Sequence, residues 1–199
     1  MKRFALCSIT LLGFYFIASA QSPQLLSFNE QRLKINRQGM LVLGAWGLGN
    51  LIAGGVGAAS TNGRQRYFWG MNAGWGGINA LIAGFSYKAA LADPASFALS
   101  KTVAEQGFIN QFLLFNAGLD AAYMVTGLYL KERARRFESG QDNHNRLTGF
   151  GDALLLQGGF LMLFDFTMFF IHKSHSKALY QLLEQVSVTS QGIGWVWRF

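Results

Sequence analysis

The sequence is poor in charge and in proline, and the low charge argues against a soluble domain. Only 14% of its 199 residues are charged, whereas 51% are hydrophobic. A soluble domain carries about a quarter charged residues. The two prolines, Pro23 and Pro94, fall outside the long apolar stretches, so no proline interrupts a helix there. The composition therefore predicts a membrane protein.

Cysteine is nearly absent too, and the single one lies at the N-terminus. Cys7 belongs to an apolar run that follows two basic residues, ends at Ile17 and leads into the small residues 18–20. This pattern predicts a secretory signal peptide over residues 1–20. Its cleavage would leave a mature chain with neither disulfides nor thiol chemistry. The alternative is an uncleaved first span, for which the apolar run is short.

The residue patterns of the common catalytic and cofactor sites are also missing. No HExxH motif, cysteine cluster or phosphate-binding glycine loop occurs, so we expect no metal, no cofactor and no enzyme activity. Intramembrane aspartyl proteases also carry two aspartates on different spans, but Asp120 and Asp165 do not stand in the Tyr-Asp and Gly-x-Gly-Asp signatures of that class. The net charge of +7 comes from basic residues that are scattered or held in one loop, which argues against nucleic-acid binding.

What the sequence does contain is four apolar stretches of spanning length. They cover residues 39–60, 67–89, 107–130 and 149–172, and each has roughly the 20 residues that cross a bilayer. We therefore predict an all-α fold, a four-transmembrane-helix bundle over residues 39–172. An exported segment, 21–38, precedes it and a tail, 173–199, follows. Because residues 174–187 place their apolar side chains on one side, we expect a C-terminal interfacial helix.

The distribution of basic residues predicts the orientation of these spans. The short loops at 61–66 and 131–148 hold seven Lys and Arg residues in 24 positions, whereas the segments on the other side hold seven in 62. Loops rich in Lys and Arg stay in the cytoplasm. Export of residue 21 by the signal peptide gives the same orientation. We expect a bacterial inner-membrane protein with both mature termini outside the cytoplasm.

Small residues at helical spacing predict which spans pack most closely. Residues 39–84 hold 13 of the 24 glycines. Small residues four apart let helices approach closely in lipid, so spans one and two should form the tightest pair. The residues that we expect at this contact are Gly49, Ala53, Gly57, Gly76, Ala80 and Gly84. Spans one and three also align at an offset of 70, which suggests two tandem helical hairpins; chance similarity of glycine-rich segments is the alternative.

Polar residues inside the spans predict a buried polar layer. Its members are Asn50, Asn79, Asn116, Asp120, Asp165 and His172. A charged aspartate facing lipid would cost about 3 kcal/mol or more, so Asp165 should face the bundle. It would serve as a neutral hydrogen-bond clamp, as part of a proton, ion or substrate relay, or as a contact to a partner subunit. At 1.5 Å per residue, Asn50, Asn79 and Asp120 reach nearly the same depth, which predicts that Asp120 meets the two asparagines.

Four segments together resemble a known family. They read GMLVLGAWGLGNLIAG, YFWGMNAGWGGINALIAG, NAGLDAAYMVTGLYLKER and LLLQGGFLMLFDFTMFFIH. The likeness, over residues 30–175, is to a bacterial family of small multi-span membrane proteins classed only as a domain of unknown function. It implies a four-span fold and no particular activity.

These observations favour a non-enzymatic multi-pass membrane protein, an accessory or assembly subunit of a membrane complex, because the loops are too short to hold a soluble site. The expected partners are the lipid bilayer and another membrane subunit or a second copy of the chain. The alternative function is a small transporter or channel that uses Asp120 and Asp165.

Overall fold

The computed structural model describes residues 23–183 in full, and only the backbone assignment of residues 2–22, 184, 186–189 and 192–195. Its four helices are α1, Lys2–Ser60; α2, Gly63–Ala92; α3, Leu99–Ala134; and α4, Asp142–Glu184. Two short strands follow, β1, Val186–Thr189, and β2, Gly192–Trp195, which pair antiparallel. Each predicted span falls within one helix, and the all-α class is confirmed.

Three of the helices are long and apolar enough to cross a membrane. They are Pro23–Ser60, Leu99–Ala134 and Asp142–Leu183. The predicted span in α2, 67–89, does not reach the same mean hydropathy, because its asparagines, glycines and tryptophans dilute the aliphatic residues. Large apolar side chains nevertheless cover the outside of every helix, as Ile52, Leu81, Phe115 and Leu163 illustrate. An exterior of this kind is compatible with insertion into a membrane.

The helices pair as two hairpins, α1 with α2 and α3 with α4. The hairpins contact each other chiefly through α2 and α4, while α1 and α3 touch only slightly. At one end of the bundle, Leu25 and Phe28 of α1 pack on Leu179 of α4, and His175 stacks on Phe28 at 4.1 Å between ring centres. Both ends of the fully described chain therefore lie at the same end of the bundle.

Glycines let the backbones of α1 and α2 touch. A methyl group added at Gly47 would stand 2.5 Å from the Ala80 nitrogen, and one added at Gly54 would stand 2.5 Å from the Ala73 nitrogen. Gly76 lies equally close to the α1 backbone. A side chain at any of these positions would force the two helices apart.

The predicted packing residues divide between this contact and the exterior. Gly57 lies against the Trp69 ring, and Gly76 and Ala80 lie against α1. Ala53 is exposed, and a methyl group at Gly49 or Gly84 would meet no atom of the described residues within 4 Å. The contacting α1 residues are spaced by three and seven rather than by four. Residues that recur every four positions drift around the helix and away from its partner. Residues that recur on average every 3.5 positions stay on the face toward the partner helix.

The structure describes only part of the segments predicted at the two ends of the chain. Residues 174–184 of the predicted interfacial helix are helical, as a continuation of α4 rather than as a separate element, and β1 begins at Val186. Pro23, in the predicted exported segment 21–38, lies inside α1. The predicted signal peptide, residues 1–20, lies outside the fully described residues, so its presence and cleavage stay predictions.

Candidate functional site

A polar network centred on Gln157 ties three helices together near the middle of the bundle. The Gln157 side chain is fully buried on α4. Its Nε2 donates to Oδ1 of Asn50 on α1 at 2.9 Å and to Oδ1 of Asn72 on α2 at 2.6 Å. Its Oε1 accepts from Nε1 of Trp46 at 2.9 Å. We call these four side chains the Gln157 network.

The Gln157 network satisfies the groups that it buries. The Nδ2 atoms of Asn50 and Asn72 donate to the carbonyls of Trp46 and Phe68, one helical turn earlier in each case. The Trp46 ring also stacks on Phe160, with ring centres 3.8 Å apart. A network with every member satisfied rigidifies the elements that it joins. These residues therefore serve as a structural clamp between the hairpins.

Asp120 and Asp165 form a second polar group, further along the bundle, around a small cavity. This inner cavity has a volume of about 130 Å³ and includes Asn79 and Asn116 in its lining. Asp120 on α3 and Asp165 on α4 both line it. We call them the carboxyl pair.

Two buried atoms at the inner cavity lack hydrogen-bond partners within the described residues. They are Oδ2 of Asp120 and Nδ2 of Asn79, on side chains that are each 3% exposed. Above them, the rings of Trp75 on α2 and Tyr123 on α3 meet edge to face at 4.9 Å. The inner cavity thus combines unmet hydrogen-bonding capacity with an aromatic wall.

A larger cavity lies next to the inner one, toward the end of the bundle where Arg32 lies. This outer cavity has a volume of about 530 Å³, and Asp165 and Asn116 line both cavities. His172 lies in its wall, is 0% exposed, and finds no partner among the described residues for either ring nitrogen. Asp165 is therefore reached from the Arg32 end through a continuous space.

Paired charges surround that end of the outer cavity. Arg32 is buried, forms a salt bridge with Glu105 of α3, and donates to Oδ1 of Asn29 at 3.1 Å. Asn29 in turn donates to the Thr102 hydroxyl at 2.7 Å. The guanidinium charge is thus neutralised locally, and Arg32 contributes little net positive charge to the cavity.

The opposite end of the bundle is held by a three-charge contact. Asp152, near the start of α4, accepts from Nε of Arg64 at 2.7 Å and contacts Nζ of Lys131 at 2.8 Å. The contact joins the beginning of α2, the end of α3 and the beginning of α4. This is the end that carries the short basic loops.

The structure brings four of the six predicted polar residues together and separates the other two. Asn79, Asn116, Asp120 and Asp165 line the inner cavity, and His172 lines the outer one. Asn50 belongs to the Gln157 network and bonds to Gln157 rather than to Asp120.

Sequence reasoning missed Gln157 and the polar role of Trp46. The available signal was a lone amide, Gln157, in an otherwise apolar stretch of α4. Within the span such a residue needs a partner on another helix. Among residues 23–183 no three His, Cys, Asp or Glu side chains come together as a metal site.

Comparison with known proteins gives a family without an assigned function. Residues 42–166 match a family described as a family of unknown function, DUF6992. The match covers more than half of the chain, which therefore belongs to that family. It includes the inner cavity and the Gln157 network and ends one residue beyond Asp165. No curated protein and no solved structure matches the chain.

Proposed function

We propose that the chain is a multi-pass integral membrane protein in which α2 also crosses the bilayer. Ile78, Leu81, Ile82 and Phe85 of α2 are exposed, as expected of side chains in contact with lipid. Its polar residues Asn72 and Asn79 face inward and are buried. We further propose a bacterial inner membrane, with the end that carries Arg64 and Lys131 in the cytoplasm.

Within this membrane we propose a non-enzymatic accessory or assembly subunit of a larger complex. The observation that carries this proposal is the Gln157 network. It lies between the carboxyl pair and the basic end, and it uses its polar groups to join helices rather than to line a path. The proposed partners are the bilayer and another membrane subunit or a second copy of the chain.

Two measurements test the accessory role. In blue-native gels, the chain solubilised from its source membrane should migrate in a larger complex than the same chain produced alone in a foreign host. Liposomes that contain a pH-sensitive or a Na⁺-sensitive dye and the purified chain should take up protons or Na⁺ no faster than liposomes without the chain. A chain that migrates identically from both sources and conducts ions would contradict the proposal.

The second candidate is a small transporter or channel. The observation in its favour is that the outer cavity reaches from Arg32 to Asp165 and that Asp165 and Asp120 line the adjacent inner cavity. Intramembrane carboxyl groups mark many ion and proton pathways. In the same liposome assay, this candidate requires a flux that Asp120→Asn or Asp165→Asn abolishes while the protein stays folded. Glu132→Gln, at an exposed position near the basic loop, is the matched control.

A further inference from the structure

We propose that the inner and outer cavities together form one binding site for an organic ammonium ion with a compact apolar body. The charged nitrogen would lie beside Asp120 and Asp165, and the apolar body would fill the outer cavity. This site goes beyond the accessory role and does not depend on it, because it requires only the folded monomer.

The charge of the cavities selects a cation. None of the described residues that line the inner cavity is basic, whereas two are carboxylic acids. The one arginine of the outer cavity, Arg32, is paired with Glu105. An ammonium group beside the carboxyl pair would supply the opposite charge that a buried carboxylate needs.

The unmet hydrogen-bonding groups point to a ligand at the same place. Oδ2 of Asp120 needs a donor, and an ammonium ion supplies up to three. The uncharged side chain of Asn79 also indicates a ligand at this place. It is buried against the cavity, and its Nδ2 has no partner in the described part of the chain. A half-turn of the carboxamide presents its oxygen to an ammonium donor instead.

The walls select an organic cation over a bare metal ion. A hard cation such as Na⁺ is best held by oxygen ligands on all sides. Here the oxygens lie together at one end, and the outer cavity is lined by Met40, Phe112, Phe164 and Met168. Trp75 and Tyr123 add aromatic faces at the inner cavity, where a desolvated cation is attracted by the ring electrons. The outer cavity also has the volume of a typical small-molecule site.

The packing of the hairpins provides an entrance from the side. Because the backbones of α2 and α3 do not approach each other within the described residues, the outer cavity lies open between these two helices. Its rim residues Ile82, Phe108 and Phe112 are exposed on the apolar surface of the bundle. An amphiphilic amine dissolved in the bilayer could therefore enter with its apolar body foremost and turn its nitrogen to Asp165.

The test compares two probes of the same shape. Adamantan-1-amine carries an ammonium group at neutral pH, and adamantan-1-ol is its uncharged counterpart. Binding to the purified full chain in detergent is measured by isothermal titration calorimetry and by tryptophan fluorescence. We expect the amine to bind at least about tenfold more tightly than the alcohol, which corresponds to about 1.4 kcal/mol. We expect Asp165→Asn to remove this preference and Glu132→Gln to keep it.

A second variant keeps the proposal testable if Asp165→Asn does not fold. Ser86 lies in the wall of the outer cavity at an exposed position, so Ser86→Trp should obstruct the cavity without disturbing buried packing. We expect it to weaken amine binding at least about tenfold as well. Equal binding of amine and alcohol, no amine binding by the folded wild-type chain, or unchanged binding by folded Asp165→Asn or Ser86→Trp would each overturn the proposal. Na⁺ binding without amine binding would overturn it in favour of an inorganic ion.

Discussion

Removal of the Gln157 side chain should destabilise the bundle more than removal of any of its partners. Gln157→Leu deletes the hydrogen bonds to Trp46, Asn50 and Asn72 at once. Two of these bonds join α4 to α1, and the third joins α4 to α2. It leaves behind one indole donor and two carboxamide oxygens in a site from which water is largely excluded. Asn50→Leu, by contrast, deletes only one of the bonds to Gln157.

The size of the effect follows from these bonds. A hydrogen bond between membrane helices contributes about 0.6 kcal/mol on average and at most about 1.7 kcal/mol. Three bonds together predict a loss of about 2 to 5 kcal/mol in the free energy of unfolding for Gln157→Leu. For Asn50→Leu the expected loss is about 0.6 to 1.7 kcal/mol. The double variant Asn50→Leu, Gln157→Leu should lose less unfolding free energy than the sum of the two single losses, because each single variant already deletes the bond between these residues.

Unfolding in bicelles by added sodium dodecyl sulfate, followed by tryptophan fluorescence, measures these differences. Gln111→Leu is the matched control, because Gln111 is exposed on α3 and the same change there should alter stability by less than about 0.5 kcal/mol. A second cycle, between Asn50 and Asp120, should be additive to within about 0.5 kcal/mol, since Asn50 bonds to Gln157.

Two results would refute this reasoning. If Gln157→Leu were no more destabilising than Gln111→Leu, the Gln157 network would not hold the hairpins together. If the Asn50 and Asp120 changes were coupled while the Asn50 and Gln157 changes were additive, the polar residues of α1 and α3 would meet as their depths suggest.

Two further predictions concern packing and topology. Gly47→Ala should lower the free energy of unfolding by about 1 to 3 kcal/mol, because the methyl group would meet the α2 backbone. Gly49→Ala, which has open space, should raise it by up to about 1 kcal/mol through helix propensity, and equal effects in the same unfolding assay would contradict the assigned contact. Single cysteines at Ser100 and Ser139, both exposed and at opposite ends of the bundle, should differ in labelling by an impermeant thiol reagent. In intact cells Ser100→Cys should react and Ser139→Cys should not; the reverse pattern would invert the proposed orientation.

The number of helices and the faces that they bury could be predicted from the sequence. The apolar stretches are long, and their polar residues recur at helical spacing. On α2, Asn72, Gly76 and Asn79 are four and three residues apart, the spacing of one helix face, and all three are buried. On α3, Asn116, Asp120 and Tyr123 have the same spacing, and all three line the inner cavity.

The partners of these residues could not be predicted, because depth gives a height along the bundle and not a direction around it. A rise of 1.5 Å per residue assigns Asn50 and Asp120 similar depths, but they belong to α1 and α3, which touch only slightly. The side chain that Asn50 meets is on α4, and only the packing of the two hairpins determines that. Similarly, small residues four apart indicated the α1–α2 pair, but the α1 glycines in contact with α2 are spaced by seven and three residues.

The buried polar atoms without hydrogen-bond partners mark the places where the side chains present reduce the stability of the bundle. Within the fully described residues they belong to Asn79, Asp120, His172 and Gln106, and the first three line the two cavities. An unmatched buried donor or acceptor costs about 1 to 3 kcal/mol, so a bundle with a purely structural role would gain by losing it. Asn72 and Asn79 are two turns apart on the same face of α2, yet only Asn72 is bonded to Gln157.

These two asparagines should therefore respond oppositely to the same substitution. Asn72→Leu should lower the free energy of unfolding by about 0.6 to 1.7 kcal/mol, because it breaks a bond between helices. Asn79→Leu should raise it by about 1 kcal/mol, because it removes an orphaned donor, and it should also weaken binding of adamantan-1-amine. Unfolding in bicelles and calorimetric titration on both variants measure the two effects. If Asn79→Leu destabilised the bundle as Asn72→Leu does and left amine binding unchanged, the inner cavity would be one more structural contact and not a site.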